Sequence, residues 1–158
     1  MSNMEVRRTD VVLKANPSRV LLRAFTLVNS EERNRKIISR VLSLSEAEVE
    51  AELERVLKKF SHRHRDARRF FAERFQQNHF HLPEGGASLS EARQLLIGAY
   101  FTMEYSPEAA ALFNPSLVWH PDQSGLPPGA RRFILSLRAT GEGHISSLVF
   151  RTGVITAD

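Results

Sequence analysis

Apolar positions along this chain recur in two patterns, one typical of strands and one typical of helices. Strand-length apolar runs bounded by Pro, Gly and Asp follow residue 112, at Leu117–Trp119, Phe133–Leu137 and Ile145–Phe150. Two more runs, Val6–Leu13 and Val20–Phe25, lie near the N-terminus. Pro17 lies between these two, and the Asn-Pro-Ser sequence around it predicts a turn.

The middle of the chain instead has helical spacing, and capping residues indicate where the first helices begin. Ser30 is placed to cap a helix that continues to about Leu42. Ser45 and Glu48 have the spacing of a capping box, which predicts a second helix ending near Phe60. The second helix has an apolar stripe on one side and charged residues on the other, so we expect it to pack one face only.

Two further helices are predicted towards the end of this region. Ser88 with Glu91 has the spacing of a capping box and predicts a helix to about Glu104. This helix is apolar around most of its circumference, so we expect it at the centre of the helical layer. Ser106 followed by Pro107 predicts a short helix over PEAAALF, because proline is well tolerated in a first helical turn.

These patterns predict an α+β protein with three parts. They are an N-terminal extended lead-in over residues 1–29, a helical bundle-like layer of about four helices over 30–111, and antiparallel strands over 112–158. The chain has 158 residues, of which 42% are hydrophobic and 25% charged. That composition is ordinary for a globular domain and is sufficient to bury a core.

A net charge of +4 raises the possibility of nucleic-acid binding, and the densest basic stretch is His62–Phe75. Its arginines alternate with apolar residues, namely Ala67, Phe70, Phe71 and Phe75, at the spacing of one buried helical face. The arginines then cover the solvated side of an ordinary helix. We therefore expect no nucleic-acid partner.

Several other classes are also disfavoured by composition. The chain has no cysteine, no apolar run of membrane-spanning length and no apolar signal-peptide core, so we expect a cytoplasmic protein with no membrane partner. The histidine pairs His62/His64 and His79/His81 lack metalloprotease spacing, and we expect helix-end or interface roles for them. No metal and no resident cofactor are predicted.

The turn between the last two strands carries the most suggestive chemistry. Arg138, Glu142, His144 and Ser146 lie within ten residues, together with two glycines. A guanidinium offers planar paired donors that fit adjacent hydroxyls or a phosphate, so the set suits a polyhydroxylated or phosphorylated ligand. A hairpin turn whose polar side chains bond only to their own backbone explains the same residues equally well.

At these residues the sequence resembles a family. ALFNPSLVWHPDQ, followed by RFILSLRATGEGHISSLVFRTG, looks like the opening of the catalytic domain of glycoside hydrolase family 130, the β-mannoside phosphorylases and β-mannosidases. RRTDVVLKANPSRVLLRAF is more loosely similar to the lead-in of members with an N-terminal helical extension. The order of the segments carries the resemblance.

The resemblance implies a five-bladed β-propeller whose first blade begins in this chain, and a substrate that is a β-mannoside oligosaccharide. Asn114 and Arg138 match positions that line the family's sugar subsite, and Glu142, His144 and Ser146 are further candidate binding residues. Members invert the anomeric centre, either with inorganic phosphate as co-substrate and an Asp as general acid, or with water. Which reaction and which linkage apply is left open.

The family's general acid is expected beyond Asp158, so this chain is expected to be an incomplete enzyme that is inactive alone. The alternative is a free-standing α+β interaction module without catalysis. The resemblance also implies subunit contacts through the helical extension. Four phenylalanines, Phe70, Phe71, Phe75 and Phe80, suggest an apolar surface for such a homo-oligomer. Packing of the same four side chains under the predicted central helix, Leu89–Glu104, explains them equally well.

Overall fold

The computed structural model describes residues 9–25, 30–82 and 88–156. The chain forms two compact units, one from Val20–Tyr105 and one that combines the residues up to Arg19 with those from Ser106 onward. The described residues form four α-helices and two antiparallel sheets, which confirms the α+β class. No helix in these ranges is long and apolar enough to cross a bilayer.

The helical unit begins and ends with short strands that pair with each other. In chain order its elements are β1 (Leu21–Ala24), α1 (Glu31–Leu42), α2 (Glu46–Phe60), α3 (Ala67–Asn78), a 3₁₀ turn (His79–His81), α4 (Glu91–Tyr100) and β2 (Thr102–Tyr105). Strands β1 and β2 are antiparallel, with Leu21 opposite Tyr105 and Ala24 opposite Thr102. This small sheet brings the two ends of the unit together.

The first two helices begin where the sequence predicts. The capping box of α2 is confirmed, because the Glu48 N–H donates to Ser45 Oγ at 3.3 Å and the Ser45 N–H donates to the Glu48 carboxylate at 2.8 Å. Ser30 holds the cap position of α1, although its side chain makes no capping hydrogen bond. The helix ends at Leu42 and Phe60 also agree with the prediction.

The boundaries predicted for α4 are wrong at both ends. Its capping residue is Ser90, whose Oγ accepts from the Arg93 N–H at 3.2 Å, so Ser88 makes no capping box. The helix also stops at Tyr100, before the predicted Glu104. Residues 102–105 leave the helix because their backbone groups pair with β1, which is a tertiary contact that local propensity cannot report.

Helix α4 is nonetheless the central helix, as predicted. Leu95, Leu96 and Ile97 are buried, and α4 packs closely against α3 at Gly98. A Cβ added to Gly98 would lie 1.8 Å from the carbonyl oxygen of Phe71, so only glycine permits this approach. The close contact fixes the separation of the two helices.

The aromatic surface expected on α3 is largely absent. Phe71 and Phe75 are buried in the core, with exposed fractions of 0% and 7%. Phe70 is half-buried and Phe80 is exposed. The prediction that all four phenylalanines offer contact surface is therefore wrong for Phe71 and Phe75, because these two fill the space between α3 and its neighbouring helices.

The second unit is built on a three-stranded antiparallel sheet in the order β3 (Ala111–Trp119), β4 (Arg131–Thr140) and β5 (Ser146–Ile155). The predicted runs Leu117–Trp119 and Phe133–Leu137 lie wholly within β3 and β4, whereas β5 begins at Ser146, one residue after the predicted start at Ile145. Strand β4 pairs with β5 over ten consecutive residue pairs, whereas its pairing with β3 is interrupted between Phe113 and Ser116. The β3–β4 interruption is a β-bulge.

Two predictions for this unit fail. Residues 106–113 do not form the predicted helix, because the Ala110 N–H donates to the Thr140 carbonyl at 2.9 Å and the chain enters β3 at Ala111. The predicted strand Val6–Leu13 starts outside the described residues, and its part from Thr9 onward is not a strand. The turn at Pro17 is confirmed, with the Arg19 N–H donating to the Asn16 carbonyl at 3.2 Å.

Candidate functional site

Arg138 is fixed in place by residues on both neighbouring strands. In the sheet it lies opposite Phe113 of β3 and Leu148 of β5. Its Nε and Nη2 donate to Ser146 Oγ at 3.1 and 2.9 Å, and its Cζ lies 5.2 Å from the centroid of the Phe113 ring. The hydroxyl and the ring therefore orient an exposed guanidinium that still has N–H groups to donate.

Asn114 follows Phe113 in the bulge. Its φ is +51°, a left-handed conformation that asparagine adopts more readily than most residues. The next residue, Pro115, has no N–H to give to a ladder, and regular pairing resumes only at Ser116. The bulge thus keeps Asn114 out of the β3–β4 ladder, next in the chain to Phe113, whose ring stacks on Arg138.

The turn from β4 to β5 contains the other two candidate residues. Glu142–His144 form a single 3₁₀ turn, and the Gly141 N–H donates to the Ile145 carbonyl at 3.0 Å across the loop that contains it. Gly143 and His144 have φ values of +66° and +58°, a conformation that is easy for glycine and less common for histidine. The Glu142 and His144 side chains are exposed, and no hydrogen bond or ion pair joins them to another described residue.

The structure thus separates the predicted site residues into two groups. It brings Arg138 and Ser146 into direct contact, whereas Asn114 is the chain neighbour of Phe113, whose ring lies under Arg138. Glu142 and His144 remain on the exposed turn. Among the described residues no carboxylate contacts Arg138, so its outward N–H groups face a position where a ligand oxygen could accept them.

Elsewhere in the same unit, a buried carboxylate links three distant segments. Glu108 is fully buried, and its oxygens accept from Arg151 Nη2 at 2.7 Å each, from the Asn16 N–H at 3.0 Å and from Arg19 Nη1 at 3.3 Å. Burial by itself raises the pKa of Glu108, but the hydrogen bonds from Arg151 and Asn16 and the charges of Arg151 and Arg19 outweigh it and hold the pKa below its usual value. The cluster ties the N-terminal segment and the entry to β3 onto β5.

The buried histidines have partners within the helical unit. His64 Nε2 lies 2.7 Å from the Glu104 carboxylate, and His81 Nε2 lies 3.0 Å from Asn34 Nδ2. His79 Nδ1 contacts the Gln76 carbonyl next to the end of α3. Within the described ranges, no group of three or more His, Asp or Glu side chains is arranged to hold a metal ion.

Sequence reasoning did not single out Phe113 or Glu108. Phe113 acquires its role from the register that sets it opposite Arg138, and no local pattern reports a partner 25 positions away. Glu108 was assigned to a helix that does not form, and its main partner, Arg151, is 43 positions away. The sequence signal for Glu108 is limited to an acidic residue three positions before Ala111, where β3 begins.

Comparison of the chain with protein-family models, curated proteins and solved structures found no match.

Proposed function

We propose that this chain is the N-terminal part of a carbohydrate-active enzyme acting on β-mannosides, and that it provides one sugar-binding subsite at Asn114, Arg138 and Ser146. In this proposal the three-stranded sheet is the first blade of a five-bladed β-propeller, as the resemblance to glycoside hydrolase family 130 implies. The observation that carries the proposal is the oriented guanidinium of Arg138, held by Ser146 and stacked on Phe113.

The chemistry of the ligand fits this arrangement. The 2- and 3-hydroxyls of mannose are cis, so two neighbouring oxygens are presented to one side of the sugar ring. A guanidinium offers parallel N–H donors in a rigid plane, which suits such a pair of acceptors. Ser146 and Phe113 limit the motion of Arg138 before the sugar binds, which reduces the entropy lost on binding.

Binding without turnover is the expected behaviour of this chain alone. Breaking a glycosidic bond requires an acid that protonates the leaving oxygen and a nucleophile on the opposite side of the ring. Glu142 is the acidic candidate at this end of the sheet, and it lies on an exposed turn without a polar partner among the described residues. In the proposal the acid is supplied by another part of the enzyme, and inorganic phosphate is a co-substrate only if the enzyme is a phosphorylase.

The test is a calorimetric titration of the chain with β-1,2-mannobiose. One exposed subsite buries little ligand surface, so we expect a dissociation constant of about 1 mM or weaker. Arg138→Ala should abolish measurable binding, and Ser146→Ala should weaken it about three- to tenfold because the guanidinium loses its anchor.

Arg131 provides a matched control. It lies on the same strand as Arg138, and its guanidinium is also 5.2 Å from an aromatic ring, that of Trp119. Arg131→Ala should therefore leave binding unchanged. Binding that survives Arg138→Ala, or that is lost equally in Arg131→Ala, would contradict the assigned subsite.

The second candidate, a non-catalytic interaction module, is favoured by a different observation. Several large apolar side chains of the sheet are exposed, among them Val118 at 58%, Leu148 at 70% and Phe150 at 59%. Apolar side chains clustered on a surface often mark contacts with other chains. The mannobiose titration separates the candidates, because a module of this kind has no reason to bind the sugar through Arg138.

A further inference from the structure

A cavity of about 390 Å³ is lined by the end of α2, the loop that follows it and the first turn of α3. Its walls include three arginines, Arg65, Arg68 and Arg69, and one histidine, His64. We propose that this cavity binds the phosphate group of a small phosphorylated molecule. All of the lining residues belong to the helical unit, so the inference does not rest on the sugar subsite, whose residues belong to the other unit.

His64 is the one buried polar residue among those that line the cavity. Its side chain is 8% exposed, and its ring packs against Phe60 with the centroids 5.8 Å apart. Its Nε2 lies 2.7 Å from the Glu104 carboxylate, which also lies 3.0 Å from Arg63 Nη2. An ionised carboxylate can only accept, so Nε2 carries the proton of this bond. Nδ1 has no partner among the described residues, so a buried, oriented ring offers one unused nitrogen to a ligand.

The three arginines can contact the same ligand. Arg65 forms no ion pair with a described residue. Arg68 lies 3.7 Å from the Glu91 carboxylate and Arg69 lies 3.5 Å from that of Glu73, and all four side chains are exposed. Ion pairs this exposed are weak, so a ligand phosphate can replace either carboxylate. Guanidinium groups present paired donors whose geometry fits phosphate oxygens.

The start of α3 adds to the positive potential of the cavity. The first N–H groups of a helix have no partner inside the helix, and they favour an anion. Asp66 holds the capping position, but its side chain makes no capping hydrogen bond, and the first turn contains no acidic residue. Asp66 is also the one acidic residue among the described residues of the cavity wall, against three arginines. The wall therefore favours an anion, although one carboxylate opposes it.

The size and the apolar part of the cavity indicate a small molecule. Pockets for such ligands measure about 300–1,000 Å³, a range that includes this one. Leu57 and Ala67 also line the cavity, so an organic group can pack beside the phosphate, and Ser61 adds a hydroxyl donor. A single-stranded nucleic acid usually needs aromatic side chains on which its bases stack, and no Phe, Tyr or Trp is among the lining residues that the structure describes. We therefore expect a phosphomonoester.

Calorimetric titration with phenyl phosphate at constant ionic strength tests the proposal. We expect a dissociation constant on the order of 0.1 to 1 mM. Arg65→Gln and Arg69→Gln should each weaken binding about five- to tenfold, because each removes a charged donor to the phosphate. Asp66→Asn should tighten binding about two- to fivefold, because it removes the opposing charge.

Arg35 on α1 provides the matched control. Arg35 and Arg69 are exposed to similar extents, and each lies 3.5 Å from a glutamate one turn away on its own helix. Arg35→Gln therefore removes the same charge and the same kind of ion pair outside the cavity, and it should leave binding unchanged. All of the substituted side chains are exposed, so the variants should keep the melting temperature of the parent to within a few degrees.

A nuclear magnetic resonance titration locates the ligand on the unmodified chain. Phenyl phosphate should shift the imidazole nitrogen signals of His64 and the backbone N–H signals of Arg68 and Arg69, and it should leave Arg138 unchanged. No binding at about 10 mM, equal weakening in Arg35→Gln and Arg69→Gln, or shifts at Arg138 in place of His64 would overturn the proposal. So would a single-stranded oligonucleotide that binds the same residues and is not displaced by phenyl phosphate. The mannobiose titration reports on the other unit and is independent of each of these results.

Discussion

Replacing Glu108 by Gln should strongly destabilise the unit that contains the three-stranded sheet. The substitution preserves the shape of the side chain but removes its negative charge and one of its two acceptor oxygens. The Asn16 N–H and the guanidinium groups of Arg19 and Arg151 then compete for one oxygen, and an amide N–H₂ faces these donors. The N-terminal segment should lose its attachment to β5.

The expected magnitude follows from burial. Removing one partner of a buried ion pair destabilises a protein by about 3–5 kcal/mol. The side chains of Arg151 and Arg19 are 22% and 49% exposed, so water can partly solvate them once the carboxylate is gone. We therefore expect a loss near the lower limit, about 3 kcal/mol.

The assay is urea unfolding followed by the fluorescence of Trp119, the single tryptophan, which lies in β3 and so reports on the unit that contains Glu108. Glu31→Gln is the control, because Glu31 pairs with Arg35 on the exposed surface of α1 and should change stability by less than about 0.5 kcal/mol. A loss below about 0.5 kcal/mol for Glu108→Gln would refute the reasoning.

Three further outcomes are expected. The folded-state pKa of Glu108 is held low, so the stability that this residue contributes should be fully present above its unfolded-state pKa of about 4.3. That stability should disappear as the pH falls through the folded-state pKa. Unfolding titrations at a series of pH values should show this decline on the acid side, and the decline should flatten in Glu108→Gln. Gly98→Ala forces α3 and α4 apart at Phe71 and should reduce the free energy of unfolding by at least about 2 kcal/mol. Thermal melts followed by far-ultraviolet circular dichroism measure this loss, and an unchanged melting temperature would contradict it. Ser45→Ala removes the capping box of α2 and should reduce stability by about 1 kcal/mol in the same melts, whereas an unaltered melt would show that the cap is dispensable.

Local signals account for much of the fold. The capping box at Ser45 and the apolar period of α2 involve contacts within four residues, so the sequence alone suffices to locate that helix. The strands after residue 112 were equally visible, because turn residues separate their apolar runs. Contacts between residues far apart in the chain could not be predicted from such local patterns. The pairing of β2 with β1 ends α4 early, and the partner of β2 lies about 80 positions away in the chain.

The residue types of the candidate site can be predicted from the sequence, but most of their arrangement cannot. Arg138 and Ser146 stand eight positions apart, and a hairpin brings them together as the turn residues suggest. The sequence gives no indication that Phe113 would lie under the guanidinium, because that contact depends on the register across the bulge at Asn114. Cross-strand register depends on the packing of whole faces, which single residues do not report.

The measurement that tests the central claim most directly is a nuclear magnetic resonance titration of isotopically labelled chain with β-1,2-mannobiose. Arginine Nε–H signals report on each guanidinium, and Arg131 and Arg138 serve as internal references for each other because both stack on aromatic rings. The proposal predicts that the sugar shifts the Arg138 Nε–H signal and the backbone signals of Asn114 and Ser146, with Arg131 unchanged. Shifts confined to other residues, or no shift at millimolar sugar, would contradict a β-mannoside subsite at Arg138.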